Sequence, residues 1–296
     1  MRLAVTGRSG QVVTSLLERG AAMGHEVVAI GRPDLDLLDP ASVGRALEAA
    51  APDTIVSAAA YTLVDKAESE CEMAHAVNGR GAGAVAEAAK ALGIPLVHIS
   101  TDYVFNGALS RPYVESDVTG PMAVYGASKL AGEQAVLEGY ANNSAVLRIA
   151  WVYSPFGANF VKTMLRLAAD RDEISVVADQ IGNPSSALDI ADGILRVANN
   201  LNVSGDPALR GIFHMTGGGE ASWADFAEAV FRASETHGGP SARIRRISTA
   251  EYPTPATRPA NSRLNSCHIA QTHGVTLPDW HSSLKIVIAR LQSAAA

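Results

Sequence analysis

The first half of the chain alternates short, continuous apolar runs with longer segments of helical pattern. The apolar runs predict five strands, at 3–6, 27–30, 54–57, 96–100 and 145–149. Helices are predicted over 10–23, from Pro40 with Asp39 as N-cap, over 82–92, and from Pro121 to Lys129. Continuous apolar strands separated by helices are typical of a parallel sheet covered on both faces. With right-handed crossovers, this pattern predicts a doubly wound, Rossmann-type α/β fold.

The second half is richer in glycine, proline and turn sequences, so its pattern is less regular. Helices are predicted over 159–169, 188–198, 223–234 and 279–291. We expect residues 1–150 to form a dinucleotide-binding domain that also receives segments from the second half. Residues 151–296 should form mainly a smaller, substrate-binding lobe over the carboxyl edge of the sheet, where doubly wound folds bind their ligands.

Composition narrows the class of protein. The 296 residues are 47% hydrophobic and 18% charged, which provides enough apolar surface for a globular core and excludes a disordered chain. The net charge of −6 comes without a basic stripe, which argues against a nucleic-acid binder. No apolar run approaches the roughly 18 residues of a membrane span, and the first apolar run is too short for a signal peptide.

Cysteine and histidine usage gives no sign of a metal site or of a disulfide framework. Cys71 and Cys267 stand alone, without Cys-x-x-Cys or His-x-x-x-His spacing, and they are interpreted as two reduced thiols. His98, inside a predicted strand, is interpreted as a core residue. We therefore expect a cytoplasmic protein without a metal site, which binds neither nucleic acid nor membranes.

A glycine turn follows the first predicted strand. In segment 6–13, Gly7 permits a tight turn and Gly10 lets the backbone approach a pyrophosphate, while the helix that follows offers amide donors and a positive dipole end. The spacing is G-x-x-G, and Val13 stands where the dinucleotide fingerprint has a third glycine. An ordinary strand-to-helix turn has the same spacing, but the position at the first βα turn of a parallel sheet favours a dinucleotide site.

The end of the second strand carries Gly31 and Arg32 where NAD-binding folds place an acidic residue for the adenosine ribose. A guanidinium suits a 2′-phosphate, so Arg32 predicts tolerance of, or preference for, NADPH; a solvated surface charge is an equal alternative. Asp36 and Leu37 are expected beside the adenine. Residues 58–62 supply small side chains where the cofactor would run close to the backbone.

Tyr125 and Lys129 are one turn apart on a predicted helix, so their side chains share one face. A nearby ammonium should lower the pKa of the phenol toward neutrality, and the same lysine can hold the nicotinamide ribose. At the end of the fourth strand, the Thr101 hydroxyl could bond a substrate carbonyl, and Asp102 could accept from a substrate hydroxyl. Taken singly, these features fit an exposed helix pair and a strand-end turn; together they predict an oxidoreductase site.

Several other side chains have both a functional and an ordinary interpretation. Arg258 and Arg263 suit a pyrophosphate, which needs bidentate cations, but isolated arginines are usually solvated at the surface. Trp151 could stack on a sugar or base, or pack in the core. Glu133 and Glu138 are interpreted as ordinary residues of the polar helix face.

The glycine turn, the strand-end hydroxyl and the Tyr-x-x-x-Lys motif together resemble the extended short-chain dehydrogenases/reductases. More closely, six segments resemble the dTDP-4-dehydrorhamnose reductase family: 7–12, 58–68, 100–105, 125–133, 148–153 and 258–264. The resemblance implies that Thr101, Tyr125 and Lys129 are catalytic, and that Asp102 and Trp151 contact a sugar nucleotide. It also implies a set of residues around the cofactor: Gly10, Gln11, Val12, Asp36, Leu37, Ala60, Tyr61 and Thr62.

The reaction implied by the resemblance is reduction of the 4-keto group of dTDP-4-dehydro-L-rhamnose to dTDP-L-rhamnose, with NADPH or NADH as hydride donor and Tyr125 as proton donor. The resemblance also allows a homodimer, and Mg²⁺ in dimer assembly, although no carboxylate cluster in the sequence establishes a metal. Two alternatives stay open. One is an epimerase or dehydratase of nucleotide sugars on the same scaffold, and the other is a non-catalytic, nucleotide-binding regulatory subunit.

Overall fold

The computed structural model describes residues 1–293. Its strands are β1 (Arg2–Thr6), β2 (Glu26–Ile30), β3 (Thr54–Ser57), β4 (Leu96–Thr101), β5 (Ser144–Ile149), β6 (Val152–Tyr153), β7 (Glu173–Val177), β8 (Ile181–Gly182), β9 (Ser185–Ser186), β10 (Gly211–His214), β11 (Ala221–Ser222) and β12 (Arg243–Ile247). Its helices are α1 (Gln11–Ala22), α2 (Pro40–Ala50), α3 (Val64–Ala67), α4 (Cys71–His75), α5 (Gly81–Leu92), α6 (Val124–Tyr140), α7 (Phe160–Ala168), α8 (Ala187–Val203), α9 (Trp223–Glu235), α10 (Cys267–His273) and α11 (Trp280–Ser293). A π-helical turn (Ala76–Arg80) joins α4 to α5, and 3₁₀ turns occupy Asp102–Val104, Ala141–Asn143, Pro207–Leu209 and Thr249–Glu251.

Six strands form one parallel sheet in the order β10-β5-β4-β3-β1-β2. The chain passes from β1 to β2 at one edge and then returns to β3 on the other side of β1, so the direction of winding reverses between β1 and β3. Such a reversal opens a crevice at the carboxyl ends of the two strands. The doubly wound α/β fold predicted from the pattern of apolar runs is confirmed.

Both faces of the sheet are covered, which is why its inner strands are apolar throughout. Helices α2, α5 and α6 pack on one face, and α1 and α8 pack on the other. Every residue of β3, β4 and β5 is buried. The second half of the chain contributes β10, which pairs with β5, and α8, which packs against α1.

The rest of the second half surrounds a separate apolar cluster. Helices α7, α9 and α11 pack around Tyr153, Phe226 and Trp280, whose rings contact one another. Three short strand pairs, β6 with β9, β7 with β12 and β8 with β11, hold the connecting segments in place. Within residues 1–293, no helix combines the length and the apolarity that crossing a bilayer requires.

Helix α6 differs most from its predicted limits. It begins at Val124, not at Pro121, and it continues well beyond Lys129. Gly132 would weaken an isolated helix, but here it permits close packing, because a Cβ at that position would lie 2.2 Å from the carbonyl oxygen of Asn78. Close contact with the π-helical turn therefore overrides the low helix propensity of glycine. As a result, α6 continues to Tyr140 and packs against β4.

Candidate active site

A cleft of about 800 Å³ opens where β1, β2 and β3 end. At one side of it, Gly7 adopts a φ of +105°, a conformation that favours glycine. A Cβ at Gly7 would come within 3.3 Å of the Val13 side chain, so the turn and the first helix pack tightly. No side chain caps α1 at Gly10. The first-turn N–H groups of α1 are therefore available to an anion.

The residues expected around the cofactor fall into two groups. Eight of them line this cleft: Gly7, Gly10, Arg32, Asp36, Leu37, Ala60, Tyr61 and Thr62. The side chains of Gln11 and Val12 do not: Gln11 Oε1 accepts from the Ser154 hydroxyl at 2.8 Å, and Val12 packs against the core. If Gln11 and Val12 take part in anion binding, they do so through their backbone N–H groups in the first turn of α1.

Arg8 lies across the end of β2, and sequence reasoning overlooked it. Its Nε donates to the carbonyl oxygen of Gly31 at 3.3 Å, and its guanidinium pairs with Asp34. A Cβ at Gly31 would lie 3.1 Å from Arg8 Cγ, so the missing side chain makes room for the arginine. Arg8 and Arg32 both line the cleft. The available signal was the position of Arg8 inside the glycine turn itself.

A second overlooked residue, Asn78, fixes the segment after β3. Its amide accepts from the Tyr61 N–H at 2.7 Å and donates to the Tyr61 carbonyl at 3.0 Å. The same amide donates to the Ser128 hydroxyl on α6 at 2.9 Å. Asn78 thereby ties the cleft wall to the helix that carries Tyr125. It belongs to a π-helical turn, a feature that often marks functional sites and that no local sequence signal predicts.

The phenol of Tyr125 and the hydroxyl of Thr101 come together at the end of β4. Burial raises the pKa of Tyr125 to about 12, and a hydrogen bond between Tyr125 and Thr101 opposes this rise. The close approach of α6 depends on Gly126, where a Cβ would lie 2.2 Å from the Tyr103 carbonyl oxygen. The Tyr103 ring meets the Tyr125 ring edge-on, with centroids 5.7 Å apart.

Lys129 lies one turn below Tyr125 and is buried. Its Nζ donates to the carbonyl oxygen of Ile99 at 2.6 Å. Burial lowers the pKa of Lys129 to about 8, and the carboxylate of Glu133 opposes this shift. The expectation that Lys129 brings the pKa of Tyr125 toward neutrality is wrong for the protein alone, because desolvation of the phenol dominates. A phenol with a raised pKa holds its proton at neutral pH, as a proton donor must.

Asp102 is buried beside this pair. Thr101 Oγ1 donates to its Oδ1 at 3.0 Å, whereas its Oδ2 has no hydrogen-bond partner among residues 1–293. Burial raises the pKa of Asp102 to about 6, although hydrogen bonds with the hydroxyls of Ser262 and Thr101 oppose this rise. A buried oxygen without a hydrogen-bond partner destabilises the fold unless a ligand supplies that partner. Thr101 also accepts a hydrogen bond from the Tyr103 N–H at 3.3 Å. The same hydroxyl therefore stabilises the strand-end turn and lies beside Asp102 and Tyr125.

Trp151 connects the sheet to the second lobe. It has a φ of +45°, and its indole stacks on Trp223 with ring centroids 3.6 Å apart. Its Nε1 donates to the Ser262 hydroxyl at 3.0 Å. Ser262 in turn forms a hydrogen bond that opposes the rise in the pKa of Asp102. The positive φ is strained for a large residue, and such strain is often found at functional sites.

The two candidate pyrophosphate ligands have different surroundings. Arg258 makes a two-pronged pair with Asp65, at 2.9 and 3.1 Å. Burial raises the pKa of the neighbouring Tyr103, and the charge of Arg258 opposes this rise. Arg263 instead pairs with Glu220 at 3.0 Å and donates to the Ser110 carbonyl at 2.6 Å. Neither arginine is simply solvated at the surface. The donors of both arginines are occupied by contacts within the protein, but only Arg258 lies close enough to Tyr103 to affect its pKa.

Glu133 and Glu138, interpreted alike from the sequence, differ in the structure. Glu138 is exposed as expected, but the prediction for Glu133 is wrong, because its side chain is only 1% exposed. It pairs with Arg148 through both oxygens, at 2.7 and 2.9 Å. The sequence offered a weak signal for this pair: the arginine stands inside an otherwise apolar strand.

The chain is similar to known proteins over nearly its whole length. A family model described as "RmlD substrate binding domain" matches residues 1–293. The chain is 51% identical, over 97% of both chains, to a protein of Sinorhizobium fredii (strain NBRC 101917 / NGR234) named dTDP-4-dehydrorhamnose reductase. It is similar to the dTDP-4-dehydrorhamnose reductase structure from Clostridium acetobutylicum ATCC 824, at 35% identity and TM-score 0.91 over 99% of this chain and all of that one. A structure of the same name from Bacillus anthracis str. Ames, in complex with NADP, has 34% identity and TM-score 0.90 over 98% and 99% of the two chains.

Proposed function

Because the chain belongs to the RmlD substrate-binding domain family, whose similar members are named dTDP-4-dehydrorhamnose reductase, we propose that it reduces dTDP-4-dehydro-L-rhamnose to dTDP-L-rhamnose. One observation of the structure carries the proposal. A protonated phenol, a donor hydroxyl and a buried carboxylate oxygen without a partner meet at the end of β4. These are the groups that a ketone and a neighbouring hydroxyl would need.

A nicotinamide cofactor fits the cleft at the ends of β1 to β3. The glycine turn from Gly7 to Gly10 and the uncapped start of α1 suit its pyrophosphate. The segment held by Asn78 would run beside it, and Lys129 would hold the ribose next to the nicotinamide. When bound, the cofactor supplies the hydride. The similar protein from Bacillus anthracis was solved in complex with NADP, which supports a nicotinamide cofactor for this chain.

The protein's own residues then have distinct tasks at the keto group. Thr101 turns its hydroxyl proton from Asp102 Oδ1 to the carbonyl oxygen, and Tyr125 delivers a proton to the same oxygen as it gains negative charge. Stabilisation that strengthens as charge develops lowers the barrier rather than only tightening binding. Asp102 accepts from a substrate hydroxyl, Trp151 stacks on the sugar, and Arg258 reaches the pyrophosphate.

Selection of NADPH is the finer part of the proposal. The end of β2 carries no acidic side chain for a ribose diol, and two arginines, Arg8 and Arg32, line the cleft there. A guanidinium pairs well with a 2′-phosphate. We propose that NADPH is preferred over NADH.

We also propose that the enzyme works in the cytoplasm, that residues 1–150 bind the cofactor, and that residues 151–293 mainly bind the substrate.

A single assay tests the main proposal. Purified protein is incubated with dTDP-4-dehydro-L-rhamnose and either reduced nicotinamide, while loss of the reduced form and the identity of the product are followed together. We expect one reduced nicotinamide to be consumed for each dTDP-L-rhamnose formed. An epimerase or dehydratase would instead change the sugar without net consumption, and a regulatory subunit would do neither unless a partner protein were added.

A further inference from the structure

A buried group of charges lies directly beneath the proposed site. Tyr125, Lys129 and Glu133 are spaced four residues apart on α6, so they form one ridge facing the sheet. Lys129 and Glu133 reach neighbouring residues of the same strand: Lys129 Nζ donates to the Ile99 carbonyl, and Glu133 accepts from the Ser100 hydroxyl. These anchors hold the ammonium and the carboxylate at adjacent residues of β4, and the charge of Glu133 acts on Lys129 from there.

Arg148 fixes the carboxylate of Glu133 from the other side. Its two hydrogen bonds occupy both carboxylate oxygens, and the side chains of the pair are 2% and 1% exposed. The guanidinium itself is held in place, since it lies over the Phe105 ring at 5.0 Å and faces His214 Nε2 at 3.4 Å. Glu133 therefore cannot swing toward Lys129 or away from it.

We propose that Glu133, locked by Arg148, is a positioning residue for Lys129: its carboxylate keeps the buried ammonium charged where it can hold the cofactor ribose. The proposal rests on the role given to Lys129 in the proposed function. Removing an ammonium from water favours its neutral form. Without an anion nearby, Lys129 would lose its proton near physiological pH and with it the ability to donate all three of its hydrogen bonds.

The other charged and titratable groups around Lys129 do not offer a substitute. On β4, the buried His98 has a pKa held well below its ordinary range, so it supplies no charge. Tyr125 on α6 stays protonated, and Asp102, beyond the end of β4, is directed to the substrate side. Arg148 on β5 lies beyond Glu133 and carries the wrong sign. Glu133 is therefore the anion that can offset the burial of the ammonium.

The experiment measures the pKa of Lys129 directly, in the cofactor-free protein. The chain has only five lysines, so lysine labelled with ¹³C at Cε gives five signals in an NMR pH titration. The Lys129 signal is identified by its loss in K129R. We expect the pKa of Lys129 to fall by about one unit or more in E133Q, the size of shift that a nearby charge produces. The matched control is E138Q, which makes the same change on the exposed part of α6 and should leave the titration unaltered.

A second variant separates positioning from packing. E133Q leaves a buried arginine without its partner and could unfold, whereas E133Q/R148M removes both charges and is expected to fold, as such paired replacements often do. Thermal unfolding checks the fold of each. A folded E133Q or E133Q/R148M protein in which Lys129 titrates as in the wild type would overturn the proposal, since the pair would then serve stability alone.

Activity adds an independent outcome. In the folded variants, the alkaline limb of the pH profile of kcat/KM should move to lower pH by the same amount as the pKa of Lys129. A shifted Lys129 titration in a protein that never reduces the keto-sugar would reject the proposed function and leave the positioning role standing. An active enzyme whose Lys129 titration ignores E133Q would reject only the positioning role.

Discussion

The two sides of the candidate active site are built by different means. The cofactor side consists of turns of consecutive residues, such as the glycine turn after β1, whose backbone groups face the cleft. The substrate side consists of side chains held by distant partners: Trp151 by Ser262, and Arg258 by Asp65. A backbone site tolerates most side-chain changes, whereas a site made of paired side chains loses one contact with each substitution.

The groups proposed to react lie between these two sides. Thr101 ends β4, and Tyr125 lies in the first turn of α6, so both belong to rigid elements that pack together in the sheet domain. Substitution here should lower kcat. Changes on the substrate side should act mainly on KM for the sugar, and changes on the cofactor side mainly on the choice of nicotinamide. This division of effects can be tested at each position.

The largest effect is expected for Tyr125→Phe. Loss of the proton donor should lower kcat by about 10²–10⁴-fold, the usual contribution of a general acid, while binding of both ligands changes little. Steady-state kinetics and cofactor titration by fluorescence measure the two quantities. Tyr140→Phe, at the far end of the same helix, is the control and should keep wild-type turnover. Near-normal turnover in the Tyr125 variant would remove the phenol from the mechanism.

Asp102→Asn should increase stability at neutral pH while weakening substrate binding. Burial raises the pKa of this carboxyl from 3.8 to about 6, so the folded protein holds the proton more tightly than the unfolded chain. The resulting stabilisation is complete below about pH 4 and is lost as the pH rises through 6. The loss amounts to about 3 kcal/mol at pH 7.

Urea unfolding at a series of pH values tests this linkage. The unfolding free energy of the Asp102→Asn variant minus that of the wild type should grow by about 3 kcal/mol between pH 4 and 7, because every other titrating group contributes equally to both proteins. Parallel pH profiles for the two proteins would mean that the carboxyl is solvated in solution. A stability gained by removing a charge would mark Asp102 as a residue kept for the substrate rather than for the fold.

The residues predicted for the cofactor side mostly line one cleft, whereas the contacts on the substrate side were not predicted, and the difference has a physical reason. Gly7, Gly10 and the strand ends act through the backbone, and local sequence determines local backbone conformation. The pairs Glu133–Arg148 and Asp65–Arg258 join different elements of the fold. An arginine inside an apolar strand indicates that Arg148 has a partner, but the residues around either member do not identify which residue that partner is. Glu133 was misjudged for this reason, because a helical glutamate is ordinarily solvated.

Substitution by methionine should have different effects at the two arginines of the substrate side. Arg258→Met should raise KM for the sugar nucleotide by about 10- to 100-fold, because charged hydrogen bonds contribute about 1.5–3 kcal/mol. Arg263→Met should instead lower the thermal stability and leave KM nearly unchanged, since Arg258 acts on Tyr103, beside Tyr125, whereas Arg263 joins Glu220 to the Ser110 carbonyl. An equal effect of both on KM would mean that Arg263 exchanges Glu220 for the substrate when it binds.

The smallest effect is expected on the cofactor side, where side chains add selectivity to a site built of backbone. Arg8→Ala and Arg32→Ala should each lower the ratio of kcat/KM for NADPH to that for NADH by about fivefold, as expected for exposed charge pairs. Arg45→Ala, an exposed arginine on α2, is the control. If Arg32→Ala leaves the ratio unchanged, Arg32 is a solvated surface charge, and if Arg8→Ala does so, the pair with Asp34 only braces the turn. A loss of turnover in either variant would show that this side, too, depends on side chains, and the contrast between the two sides would not hold.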